Sequence, residues 1–306
     1  MKTYLHLLVL LWFGITLNGY GQDQVLQEVQ FSKSELLKHC QSLSSDGFQG
    51  RHTGTKGALK ARKYIINQFH RQGLAPIKKD TYTQLFYFSE RGVHYEGANV
   101  LGLIKGKTHP DHYVVISAHY DHLGVKDGQI YNGADDNASG LSALFSFAEY
   151  FKNNPPNNSV VLAAFDAEEL GLRGSKYFVM NPIITFAKIK LNINLDMIGR
   201  SDKRELYVVG TRESEVLRQV VLSIKDTGKL HLKIGHDGGN WKDDWTLSSD
   251  HASFYKFHVP FLYFGVEDHA DYHEPSDIYE NIQPDFYYEA VKTVIKVFSK
   301  LDSSQF

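Results

Sequence analysis

"VVLAAFDAEELGLRGS", Val160 to Ser175, is the stretch on which the reading of this chain turns. Val160 to Phe165 is an unbroken apolar run of the length expected for a strand buried on both faces, and it stops at Asp166. Two adjacent carboxylates, Glu168 and Glu169, follow within three positions. A solvated loop that caps a helix would account for one of them, and a catalytic pair would account for both.

The neighbouring segments supply the frame. "HYVVISAHYDH" (His112 to His122) is a further buried-strand run, and "KIKLNINLDMIG" (Lys188 to Gly199), "TYTQLFYF", "ANVLGLIKG", "ELYVVG" and "VPFLYFG" also read as strands, the second and third of these as sheet neighbours. Apolar residues at helical spacing lie between them: Ala58, Ala61, Ile65 and Phe69; Leu141, Leu144, Phe145, Ala148 and Phe151; and Tyr287, Ala290, Val291, Val294, Phe298 and Leu301. "ESEVLRQVVLSI" reads as a helix, as does a short segment around Lys176 to Met180. This alternation predicts an α/β fold, a three-layer sandwich around a mostly parallel, mixed central sheet. No repeat or linker divides it, so residues 22–306 are expected to form a single domain.

Composition narrows the function. The formal charge of −2, from 33 basic and 35 acidic residues, argues against a nucleic-acid partner. Cys40 is the only cysteine, which excludes a disulfide framework and a thiolate metal cluster. Any metal must be held by His and carboxylates. Residues 1–21 have the composition of a secretory signal peptide: Lys2, an apolar stretch from Leu5 to Leu17, then a small and polar end. The mature protein is expected to be secreted or periplasmic, with no stable membrane association after cleavage.

Ligands of open α/β sheets bind at the carboxyl ends of the strands, and the candidate chemistry gathers there. In "SAHYDHLG", His119 is a candidate metal ligand and Asp121 a carboxylate that could orient its imidazole. His122 is a rival ligand, but it falls on the opposite face if the strand continues. "NGADDNASG" holds Asp135 and Asp136, suited to turn chemistry or to bridging two cations. Glu168 and Glu169 offer one base and one ligand, since adjacent side chains at a strand end diverge. Asp196, in "NINLDMIGR", is a carboxylate among apolar residues and needs a partner or a metal. "DYHEPSDIYE" adds His273, the hydroxyl of Tyr272 and Asp277, a possible carboxylate of the outer shell.

These motifs, in this order, resemble the signature of the M28 peptidases, the zinc aminopeptidase family, as do "FQGRHTGTKG" and "SDHASFYKFHVPFLYFG". The resemblance covers roughly Leu43 to Phe298 and implies a zinc-peptidase fold of the phosphorylase/hydrolase-like kind. It further implies two Zn²⁺ ions bridged by Asp135, one completed by His119 and Asp196 and the other by Glu169 and His273. Glu168 would be the general base, the Asp135–Asp136 peptide bond would be cis, and the substrate would be the N-terminus of a peptide. Tyr272 could donate to the developing oxyanion.

Other readings stay open at this point. Manganese or cobalt could occupy so oxygen-rich a site. A glutaminyl-peptide cyclotransferase resembles the same fold with one zinc, and a carboxypeptidase-type relative would need cations such as Arg173, Arg200 or Arg212. A non-catalytic, receptor-like relative should lack ligands. Trp241, Asp243, Asp244 and Trp245 could form a pocket wall that accepts an α-amine, or a plain surface loop. Asp250 and His251 read as outer partners of ligands or as structural residues, rather than as ligands.

Overall fold

The computed structural model describes residues 28–304 apart from residues 227, 240 and 241. The signal segment expected over residues 1–21, and Trp241, lie outside the described residues. In chain order the strands are β1 (Ala75–Pro76), β2 (Thr83–Glu90), β3 (Val93–Ile104), β4 (His109–His119), β5 (Gly124–Lys126), β6 (Gln129–Tyr131), β7 (Asn158–Phe165), β8 (Ile189–Leu195), β9 (Glu205–Val209), β10 (His231–Ile234) and β11 (Phe261–Gly265). The α-helices are α1 (Lys33–Leu43), α2 (Lys56–Arg71), α3 (Gly140–Asn153), α4 (Arg173–Met180), α5 (Glu215–Leu222), α6 (His251–Lys256) and α7 (Pro284–Ser303).

Among the described residues, one nine-stranded sheet runs in the order β1-β3-β7-β4-β8-β11-β9-β10, with β2 paired to β3. The four central strands β7, β4, β8 and β11 are mutually parallel. Towards the edges the pairing turns antiparallel, at β3 with β7 and at β11 with β9, so the sheet is mixed, as expected. A separate hairpin joins β5 to β6.

The two-residue period of the central strands divides the core between two faces. Val114, Ile116 and Ala118 of β4 and Val160, Leu162 and Ala164 of β7 pack against α1, α2, α3, α5 and α7 in the larger cluster. Val115, Val161, Ala163 and Phe165 face the opposite way, onto Phe178 of α4 and Phe254 of α6. Both faces are covered, which is why these strands read as unbroken apolar runs rather than alternating ones. Thr55 caps α2 by accepting from the Ala58 amide at 3.3 Å, and the helix buries Ala58, Ala61, Ile65 and Phe69, the spacing read from the sequence. Among the described residues, no helix is long and apolar enough to cross a membrane.

Candidate metal centre

The central strands deliver their carboxyl ends to one edge. His119 is the last residue of β4, Glu168 and Glu169 follow β7, and Asp196 follows β8. Two loops complete the ring, Asn132–Gly140 after β6 and the segment after β11 that carries His273. His119 Nε2 lies 3.1 Å from Asp136 Oδ1 and 3.2 Å from Asp196 Oδ1. His273 Nε2 lies 3.1 Å from Asp136 Oδ2 and 3.4 Å from Glu169 Oε2. Asp136 therefore presents one oxygen to each imidazole.

The expectation placed Asp135 in that shared position, and here the structure differs. Asp135 turns away: its Oδ1 accepts from the Gly199 amide at 2.6 Å, and its Oδ2 lies 3.0 Å from His269 Nε2. The cis peptide bond is Asp136–Asn137, not Asp135–Asp136. The register is set from outside the motif. Asp277 accepts from the amides of both Asp135 (2.9 Å) and Asp136 (3.0 Å), while the Asn137 amide group donates to Leu195 O at 2.9 Å. With the backbone tied at these points, adjacent carboxylates diverge and only Asp136 enters the cluster. Gly133, at φ 56°, opens the turn, and a Cβ there would stand 2.1 Å from the Asp136 carbonyl.

Asp121 stands beside His119, its carboxylate Oδ1 3.7 Å from Nδ1, and does more than the expected orienting. Its main-chain carbonyl, at 3.1 Å, orients His119 Nδ1, while its carboxylate accepts from the amides of Glu168 (3.0 Å) and Glu169 (3.3 Å). His122 was expected on the far face if the strand continued. Strand β4 ends at His119, the chain bends, and His122 Nδ1 comes within 2.9 Å of Glu169 Oε1 and 3.7 Å of Asp136 Oδ2. Beneath the site the buried Arg51 donates to the carbonyls of Leu43, Tyr120, Asn132 and Gly133. Sequence reasoning passed over Arg51 and His269, because a single Arg or His in a loop carries no spacing signal.

The electrostatics follow from burial and crowding. Burial opposes protonation of His119, but Asp196, Asp121 and Asp136 outweigh it and raise its pKa well above the ordinary value. Asp136 is buried too, yet the facing His122, His119 and His273 hold it well below the usual carboxylate range. Burial pushes Glu168 well above that range, against the attraction of His119 and with Asp196, Asp250 and Glu169 adding. Burial, then Asp136, lifts Glu169 to about 8.

A cavity of about 200 Å³ opens over these groups, with Glu168, Tyr272, Asp243 and Trp245 among its walls. Tyr272 stacks on His273 at a centroid distance of 3.9 Å, and burial raises its hydroxyl pKa. Asp244 is absorbed locally, its Oδ1 accepting from the Thr246 amide and hydroxyl. His251 Nε2 bonds the Trp245 carbonyl at 2.9 Å, a structural role as expected.

The donor set fits divalent cations of the zinc kind. It consists of imidazole nitrogens and carboxylate oxygens, which suit zinc. Its acids, Asp136, Glu169 and Asp196, are crowded into a buried space where unneutralised carboxylates are costly. Glu169 Oε1 is buried with no hydrogen-bond partner, as are both ring nitrogens of His122.

Fold and site together define a candidate metalloprotein of the α/β class, with its centre at the strand ends of a mixed sheet. Residues 99–298 match peptidase family M28, and the chain belongs to that family. Aminopeptidase YwaD of Bacillus subtilis (strain 168) is 31% identical over 199 residues, which are 60% of this chain and 40% of that protein. A probable zinc metalloprotease of Pyrenophora teres f. teres (strain 0-1) is 26% identical over 196 residues, 58% of this chain and 42% of the other. The chain thus spans less than half the length of these two relatives. Among solved structures, a zinc aminopeptidase from Bacillus subtilis superposes with a TM-score of 0.72 at 19% identity, covering 90% of this chain and 96% of that one. A glutaminyl cyclase from Bacteroides thetaiotaomicron, bound to N-acetylhistamine, gives 0.71 at 18% identity, covering 88% and 98%. At these identities the likeness is one of fold.

Proposed function

We propose that the protein is a co-catalytic two-zinc aminopeptidase that removes N-terminal residues from peptides. The observation that carries this reading is the position of Asp136, whose two oxygens each stand 3.1 Å from a different imidazole. One carboxylate shared between two donor groups is what a two-ion centre requires. His119 and Asp196 would hold one ion, Glu169 and His273 the other, and Asp136 both. When bound, two such ions supply Lewis acidity, acidifying a water and polarising the scissile carbonyl.

The remaining chemistry belongs to the chain. Glu168 faces the cavity without standing among the donors nearest to either imidazole, so its carboxylate is available to take a proton from the attacking water and pass it to the leaving amine. Tyr272 lines the cavity and stacks on His273, and its hydroxyl would donate to the developing oxyanion. Asp243 and Asp268 line the same cavity and give it the negative charge that attracts a protonated α-amine. The composition of residues 1–21 supports action outside the cytoplasm.

Glutaminyl cyclases share the fold, and the experiment separates the two readings. Purified protein is assayed for zinc and then tested on aminoacyl and glutaminyl chromogenic substrates, with and without chelator. Release of amine from aminoacyl substrates, abolished by chelator and restored by zinc, is the expected result. Protein that holds no metal and stays inactive when zinc is added would refute the reading, and cyclisation of glutaminyl substrates without hydrolysis would replace it.

A further inference from the structure

We infer that His122 is a further ligand, through Nδ1, of the ion that Glu169 and His273 would hold. The inference rests on the two-metal reading and adds a third imidazole to it. A histidine buried in a core for structural reasons normally has its ring nitrogens hydrogen-bonded. His122 is 1% exposed, and neither ring nitrogen has a hydrogen-bond partner. Its surroundings are the centre itself. Nδ1 lies 2.9 Å from Glu169 Oε1, another buried atom without a hydrogen bond, and 3.7 Å from Asp136 Oδ2.

The separation from Glu169 is short enough for a hydrogen bond, yet the two atoms do not form one. That combination is expected of two donors whose lone pairs aim at a third point. Nitrogen and oxygen ligands at about 2.0–2.2 Å from a tetrahedral zinc stand about 3.3–3.6 Å from each other, and the separations here, 2.9 and 3.7 Å, bracket that range. The ring is also fixed in place, because a Cβ on Gly133 would lie 2.5 Å from its Cγ and Cδ2, so the loop main chain closes one side of it. The two centres would then differ. The His119 and Asp196 side has one imidazole, and the Glu169 side has two.

The attachment atom gives a test on the unmodified protein. His119 and His273 both meet the centre through Nε2, whereas His122 meets it through Nδ1. Protein carrying isotopically labelled histidine is stripped, reloaded with two equivalents of NMR-active cadmium, and examined for scalar coupling between metal and ring nitrogens. Three coupled imidazoles are expected, one of them through Nδ1. Two Nε2 couplings with no Nδ1 coupling would overturn the inference and leave the two-metal reading intact. A single bound cadmium would overturn both. In parallel, His122→Ala is titrated with zinc against a chromophoric chelator. One dissociation constant should rise by at least about tenfold with the other unchanged, and two unchanged constants in a folded variant would refute the assignment.

Discussion

Adjacent aspartates that differ only in register offer a decisive comparison, Asp136→Asn against Asp135→Asn. Asp136 is 3% exposed and touches two imidazoles at 3.1 Å, one with each oxygen. Asparagine keeps one carbonyl oxygen and turns an NH₂ on the other ring. Losing an outer partner of a ligand weakens metal binding about 10–100-fold, and losing the shared ligand itself should exceed that. Asp136→Asn is therefore expected to drop towards zero zinc per chain, with hydrolysis lost in step. Asp135→Asn keeps an acceptor for the Gly199 amide and forfeits only the charged partner of His269. A hydrogen bond to a charged group contributes about 1.5–3 kcal/mol, or about 3–5 °C in Tm for a domain of this size. This variant should melt earlier, keep its zinc and stay within about tenfold of the parent in kcat/KM, since it removes no ligand. The assays are metal analysis, calorimetry and steady-state kinetics. Zinc lost from Asp135→Asn and retained by Asp136→Asn would refute the register argued here.

Glu168→Gln should retain zinc and lose about 10²–10⁴ in kcat, the usual contribution of a positioned base, and parental turnover would remove Glu168 from that role. Arg51→Met leaves the carbonyls of Leu43, Tyr120, Asn132 and Gly133 without their donor. Urea unfolding should show a loss of about 4 kcal/mol or more, and a loss under about 1 kcal/mol would show that water replaces the guanidinium. Burial holds His39 down at about 4 against an ordinary 6.5. The unfolded chain then takes up the proton first, so this contribution to stability is complete above pH 6.5 and is lost as pH falls towards 4. His39→Phe should flatten that slope, worth about 3 kcal/mol across the window, and an unchanged slope would assign it to other groups.

The sequence made β4 and β7 legible because strands covered on both faces are apolar along most of their length, and β8 legible because its apolar residues alternate with polar ones. Helices α2, α3 and α7 were legible through their apolar spacing. Helix α1 went unread although its buried residues, Leu36, His39, Cys40 and Leu43, recur at helical spacing, because half of that stripe is His and Cys rather than aliphatic. So did β5 and β6, whose three residues each are too few to display a period. At the site, the segments that converge were readable, because each strand end carries a residue out of keeping with its apolar run. The choice between Asp135 and Asp136 was not readable, because Asp277, 141 residues away, makes it. The place of His122 depends on where β4 stops, and that is decided by its partners β7 and β8 rather than by the local pattern.

The acids around the centre do two kinds of work, which explains why so many are present. Asp136, Glu169 and Asp196 aim at imidazoles, whereas Asp121, Asp166 and Asp277 accept from main-chain amides. Loops that leave a strand end expose amides with no sheet partner, and one carboxylate can serve two of them. Each tie also joins different segments. Asp121, after β4, holds the Glu168 and Glu169 amides after β7, and Asp277, beyond β11, holds the Asp135 and Asp136 amides after β6. The ties restrain strained backbone as well, since Ala167, Met197 and His273 all sit at φ 58°. Such residues cost about 1–3 kcal/mol each unless their surroundings over-determine them. Asp277→Asn should accordingly act on the metal without touching it. Its carbonyl oxygen can still accept, but its NH₂ faces an amide that also donates, so one tie is lost and Asp136 shifts. Zinc affinity is expected to fall about 10–100-fold, with kcat per bound zinc largely retained. Unchanged zinc affinity in that variant would mean that packing alone fixes the Asn132–Gly140 loop.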